Sequence, residues 1–313
     1  MYKIFIYRVI ALIAMVLIIT GLIIHYSAGL LSFAVIALTL GLRHGLDADH
    51  IVAIDNITRK LAAEKNPSIA TGLYFALGHS TVVFVLTVTL VLGISNSHVF
   101  YSKLSALGDK VGSLISISFL CMTIVMNLIA FKNMKHSPQT NYPSFIFRLA
   151  NKYLFNAIDR PEKMFFVGFF FGLGFDTATE IGLLSLAASS MLNGINPGFI
   201  LLLPVVFACG MIFTDTLNSV FMSNIYRLIK HSSQKLYLYN YMIIGFATLA
   251  TLTVIIIESI SYINEQISSG NFLFKLINGL NDNTWLLGAV IVSVFILLWI
   301  AVYAQSAGRS NQA

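Results

Sequence analysis

Arg43-His44-Gly45-Leu46-Asp47-Ala48-Asp49-His50 places one cation, two carboxylates and two imidazoles in eight consecutive residues. They lie inside an otherwise apolar run over 31–54, long enough to read as a membrane helix. Ionisable groups at that depth are expensive, so they are read first as functional and as facing a bundle interior or a water-filled cavity. Imidazole and carboxylate together suit a borderline transition-metal ion, imidazole as the donor and carboxylate as the counter-charge.

The spacing restricts how this stretch folds. On an ideal helix Arg43, Asp47 and His50 share one face, and Arg43 and Asp47 are spaced to neutralise each other. His44 and Asp49 are five residues apart, about 140° of turn, so His44, Asp49 and His50 cannot all point one way. Either the helix breaks near Gly41 and Gly45, or several of its faces meet protein. Broken helices are common at transporter sites, where freed backbone groups line a cavity.

Three more polar islands interrupt apolar runs. Gly78-His79-Ser80-Thr81 contributes an imidazole and two hydroxyls. Leu173 to Glu180, L-G-F-D-T-A-T-E, contributes Asp176, Thr177, Thr179 and Glu180. Gly210 to Asn218, G-M-I-F-T-D-T-L-N, contributes Asp215 and Asn218. Asp176 and Glu180 are i and i+4, on one helix face. A single buried Asp or His is often only a hydrogen-bonding group. Eight embedded ionisable residues on four helices are too large a desolvation cost for structure alone, and a shared polar centre explains them together. Cys121 and Cys209 lack metal-type spacing and read as small apolar filler. His25, His98, His136 and His231 fall in connections.

The elements that must carry these islands follow from composition. Of 313 residues 57% are hydrophobic and 10% charged, far below the roughly 25% charged of soluble domains. The expected class is all-α: a polytopic membrane protein with eight transmembrane helices, over about 7–26, 31–54, 69–93, 111–131, 164–187, 198–224, 239–263 and 285–304. The first run is long for a signal peptide, and no small-residue cleavage site follows it cleanly. Connections 55–68, 132–163 and 225–238, with the two ends, hold fifteen basic residues, against three in the other connections. That bias puts both termini and the Pro-containing loop 132–163 in the cytoplasm, with 1–313 a single integral transport domain. The net charge of +6 is spread over short loops, which argues against nucleic acid. Gly45–Ile51 echoes Gly174–Ile181 with one residue inserted, three helices later, as an inverted repeat in the first six helices would produce.

In order, the four islands resemble the signatures of the nickel/cobalt permease family: R-H-A-x-D-A-D-H-I, G-H-S-T-V-V, L-G-F-D-T-A-T-E and G-M-x-x-x-D-T-x-D. The match runs from Arg43 to Asn218. The resemblance implies eight helices, cytoplasmic termini and high-affinity import of Ni²⁺ or Co²⁺ across the bacterial plasma membrane. It carries metal recognition onto His44, Asp49 and His50, with Asp47 beside them and His79 supporting. Arg43, Ser80, Thr81, Asp176, Thr177, Thr179, Glu180, Asp215 and Asn218 then form the surrounding polar centre. Two departures stand out: Gly45 and Leu46 replace the usual alanine and a larger apolar residue, and Asn218 replaces an aspartate.

The ion is therefore expected as cargo, with no cofactor. No phosphate-binding loop is present, so neither direct ATP use nor an ATPase subunit is implied, and the expected surroundings are the lipid bilayer. The rival readings are a proton-coupled carrier or exporter of another divalent metal and, with less support, an intramembrane metalloenzyme. Three embedded histidines and no H-E-x-x-H motif disfavour an enzyme.

Overall fold

The structure is a computed structural model that describes residues 28–63, 69–91, 114–128, 158–173, 195–229, 233–267 and 283–310, with isolated positions between 7 and 21 and at 183, 186, 187 and 279. Every regular element among them is helical. They are α1 (Ala28–His44), α2 (Ala48–Ala63), α3 (Thr71–Val91) and α4 (Leu114–Leu128). A single 3₁₀ turn, Pro161–Lys163, leads into α5 (Met164–Phe171). Then come α6 (Pro197–Ile200), α7 (Leu202–Ile229), α8 (Ser233–Ile267) and α9 (Thr284–Ser310).

Among the described residues three helical stretches are long and apolar enough to cross a bilayer: Thr71–Val91, Pro197–Asn224 and Tyr241–Ile260. The interrupted pair α1 and α2 counts as a fourth when taken as one span. With no water at that depth, helices satisfy every backbone group internally, which is why an apolar chain of this composition folds this way. The chain is a multi-pass membrane protein.

The sequence leads one to expect one membrane span over 31–54, continuous or broken near Gly41 and Gly45, followed by a connection at 55–68. The structure realises the break and moves the end of the span to Ala63. Helix α1 stops at His44, and α2 continues through Asp55, Asn56, Thr58, Arg59 and Lys60 to Ala63. The polar run looks like a loop by composition, yet its side chains are buried. Arg59 and Lys60 are therefore not free loop cations of the kind the charge bias counts.

Two compact units are formed. One comprises 1–46, 72–116 and 164–217; the other comprises 47–71, 117–163 and 218–313. In the first, an apolar core gathers Leu30, Ala37, Ala76, Leu203, Phe207 and Met211. Its helices meet through glycines. A Cβ on Gly41 would overlap the Phe207 carbonyl of α7, and one on Gly210 would lie 2.7 Å from Leu38 O and Leu42 N of α1. Helices α3 and α5 repeat the device reciprocally, Gly78 against Phe165 and Gly168 against Phe75. Lipid tails give helices no hydrophobic reason to associate, so close backbone packing at small residues supplies the attraction. In the second unit α2 packs on α8 and α9 around Ile51, Ile243, Ala247 and Phe295.

Candidate metal centre

The central stretch folds as a helix end, a three-residue break and a helix start. Gly45 N–H still donates to Gly41 O at 3.1 Å and Leu46 N–H to Arg43 O at 3.0 Å, which closes α1. Asp47 then acts as the N-cap of α2: its carbonyl accepts from Ile51 N–H at 3.1 Å, the first bond of the new helix. Asp at that position and Asp49 in the first turn both suit the positive end of a helix. Of the two arrangements open from the sequence, the break is the one realised, and it falls at Gly45–Asp47. Gly41 stays helical and serves close packing instead.

In the first unit this break delivers His44 to His79. Their Nε2 atoms stand 2.9 Å apart and both rings are buried. The ring centroids are 4.7 Å apart with the planes tilted by 59°. Phe207 lies 5.6 Å from the His44 ring, and Phe75 lies 6.4 Å from His79. One imidazole must donate its Nε2 proton and the other accept it. The separation also suits a shared ion: two nitrogens each about 2.1 Å from a metal, at a right angle, stand about 3.0 Å apart. For both Nε2 lone pairs to bind, the bridging proton has to leave or move to Nδ1.

The side chains around this pair hold it in place. Gly78, just before His79, lets α3 lie against the Phe165 carbonyl. Gly45, just after His44, faces Thr214 of α7, whose hydroxyl donates to Gly210 O at 3.2 Å and Met211 O at 3.1 Å and fills the space a Cβ on Gly45 would take. Gly72 lies against the backbone carbonyl of Asp215, and the Asp215 side chain is fully buried. The Ser80 hydroxyl is buried with no hydrogen-bond partner among the described residues. Thr214 falls inside the Gly210–Asn218 island but is given no role by the sequence, and Gly72 lies outside all four islands.

Other expected members stand differently. Thr81 is exposed and its hydroxyl donates to Leu77 O of its own helix at 2.7 Å, so the structure does not bring it to the histidines. Arg43 is half-buried in the last turn of α1. In the second unit Asp47 and His50 are buried and Asp49 is partly so, on the first turn of α2. The Asn218 amide donates to Ile51 O at 3.4 Å, and Ser219 donates to Ile69 O at 2.9 Å. A carboxylate at 218 would have no proton for that carbonyl, so Asn218 supplies a backbone tether on α2 that an aspartate could not. Asp176, Thr177, Thr179 and Glu180 lie outside the described residues. Cys121 and Cys209 are both free thiols.

Similarity to known proteins converges on the same cargo chemistry. Residues 30–305 match the family described as high-affinity nickel-transport protein. The nickel transporter NicT of Mycobacterium tuberculosis is 36% identical, over 88% of this chain and 79% of its own. The high-affinity nickel-transport protein NixA of Helicobacter pylori strain 26695 is 31% identical, over 90% of this chain and 91% of its own. The cobalt transport protein NhlF of Rhodococcus rhodochrous is 30% identical, over 87% of this chain and 82% of its own. No solved structure shows significant similarity to the chain. A match of that extent decides the matter: the chain belongs to the family of high-affinity nickel-transport proteins.

Proposed function

We propose that this protein imports Ni²⁺, Co²⁺ or both, with high affinity, across the bacterial plasma membrane as a secondary permease. The observation that carries the reading is the buried His44–His79 pair, with Nε2 atoms 2.9 Å apart at the end of a broken membrane helix. Two neutral imidazoles at that separation are a ready-made chelate for a borderline dication. His50, only five intervening residues after His44, supplies a third nitrogen, and Asp49 an oxygen with charge. Asp47 and Arg43 neutralise each other and set the helix, and Asp215, Ser80, Asn218 and the Asp176–Glu180 island are the supporting polar groups that the sequence motifs assign. The C-terminal end of α1 carries the negative end of its dipole, which favours a cation there.

The topology that accompanies this reading is eight spans in a single transport domain, both termini and loop 132–163 in the cytoplasm, and an inverted repeat over the first six helices. Membrane potential is a sufficient driving force. Two charges crossing about 100 mV gain about 4.6 kcal/mol, roughly a thousandfold accumulation. No partner subunit and no catalytic step is required.

Radiolabelled nickel uptake into sealed vesicles of purified protein tests this, with cobalt, zinc and manganese as competitors. Uptake should follow an inside-negative potential, need no ATP, and be competed by cobalt ahead of manganese. Uptake that survives collapse of the potential and tracks an imposed proton gradient instead would favour the proton-coupled reading.

A further inference from the structure

Five residues beyond His50, about 7.5 Å along the same helix, α2 carries a second buried polar group that the His44–His79 pair does not use. The Arg59 guanidinium donates through one Nη2 atom to Asn56 Oδ1 at 2.6 Å and to Asp55 Oδ2 at 3.2 Å. Asn127 of α4 donates to the same Asn56 oxygen at 2.9 Å. Asp55 is fully buried, and Asn56, Arg59 and Asn127 are nearly so. The group is under-satisfied. Asp55 Oδ1, Asn56 Nδ2, Thr58 Oγ1 and Arg59 Nε and Nη1 find no hydrogen-bond partner among the described residues. A purely structural clamp of this size pairs its buried polar atoms, because each orphan costs more than the bond it lacks.

One feature of the geometry explains the excess. The Arg59 nitrogen occupies a point where a carboxylate oxygen and an amide oxygen converge, with a second carboxylate oxygen left over. That is a cation site filled by the protein's own cation. We propose that Asp55 and Asn56 form a second, oxygen-donor cation station on α2, held closed by Arg59, and that a dication leaving the histidine site displaces the guanidinium to pass. The donors are hard oxygens, so an emptied station takes Mg²⁺ as well as Ni²⁺. Arg59 keeps the station shut to such ions until cargo arrives. The passage role rests on the nickel-import reading; the existence of the station does not.

The test uses purified full-length protein. Arg59→Gln removes the resident cation and leaves Asp55 and Asn56 in place. Its thermal melt should rise on adding millimolar Mg²⁺, and calorimetry should show one more Ni²⁺ bound than in the unsubstituted protein. The unsubstituted protein and the double variant Asp55→Asn with Arg59→Gln should show neither change. In vesicles the double variant, neutral at this site, should still bind nickel within a few-fold of normal while uptake falls by about tenfold or more. Arg59→Gln protein that melts independently of Mg²⁺ and binds no additional ion overturns the station. If that variant cannot be purified, the double variant decides: folded protein with undiminished uptake overturns the proposal, and folded, nickel-binding protein with lost uptake supports it. Failure of the nickel reading looks different, because the unsubstituted protein would then neither bind nor take up nickel, while the Mg²⁺ response of Arg59→Gln would be unaffected.

Discussion

Gly210→Ala is a one-methyl change that should damage metal binding more than it damages the fold. The new Cβ would lie 2.7 Å from both Leu38 O and Leu42 N, backbone atoms of α1 that cannot rotate aside. Ordinary contact begins at 3.4 Å, so α1 must retreat from α7 by about 0.7 Å. Helix α1 ends in His44, whose Nε2 is 2.9 Å from His79 Nε2. A metal tolerates ligand-distance errors of about 0.2 Å, so the retreat is several times what the donor pair can absorb. Overpacking of this kind costs about 1–3 kcal/mol of stability, which leaves folded protein to assay. Nickel affinity should fall by about 10–100-fold, as when a group that orients a ligand is lost. Calorimetry and a thermal melt on the same preparation read both quantities. Gly245→Ala is the control, since nothing lies within 4 Å of its added Cβ, and it should bind nickel normally and melt no lower. Gly210→Ala protein that binds nickel within twofold of the unsubstituted chain would refute the idea that the glycine contact fixes His44.

Three further outcomes follow from the same structure and sequence. His50→Ala should lose detectable nickel binding in calorimetry while remaining folded, because few replacement donors exist at membrane depth; normal binding would remove His50 from the donor set. A cysteine placed at Ser137 should resist membrane-impermeant thiol reagent applied outside intact cells, and ready labelling there would invert the topology. Lys163 lies 3.0 Å from Asp159 and holds its carboxyl below the usual range, so the pair's contribution is present above a pH of about 4 and lost as pH falls through the lower folded value. Both side chains are nearly half exposed and solvent screens them, so Asp159→Asn should leave the melting temperature unchanged at neutral pH and in acid alike.

How far the sequence reached depended on which interaction decided each feature. Helical class and the apolar spans over Thr71–Val91, Pro197–Asn224 and Tyr241–Ile260 were legible because an apolar run has only one way to satisfy its backbone in lipid. The break at Gly45–Asp47 was half legible. Spacing excluded one continuous helix that points His44, Asp49 and His50 the same way, but the N-cap role of Asp47 emerges only from its carbonyl bond to Ile51. The end of α2 was illegible by composition, since D-N-I-T-R-K reads as a solvated connection. The i, i+4 spacing of Asp55 and Arg59 was the available sign of helix, and their burial depends on α4, α8 and α9 packing around them. The sequence could not show that the Thr81 hydroxyl bonds its own preceding turn at Leu77, because a membrane helix offers that carbonyl to any hydroxyl four residues on. The glycines beside His44 and His79 were visible as small residues, but the backbone each one admits could be known only from the fold.

The most direct measurement of the central claim is nickel-edge X-ray absorption on the purified protein loaded with one equivalent of Ni²⁺. Imidazole scattering from more than one histidine is expected, at Ni–N distances of about 2.1 Å, with one imidazole fewer in His79→Ala. A nickel environment made only of oxygen donors, unchanged by His79→Ala, would contradict it.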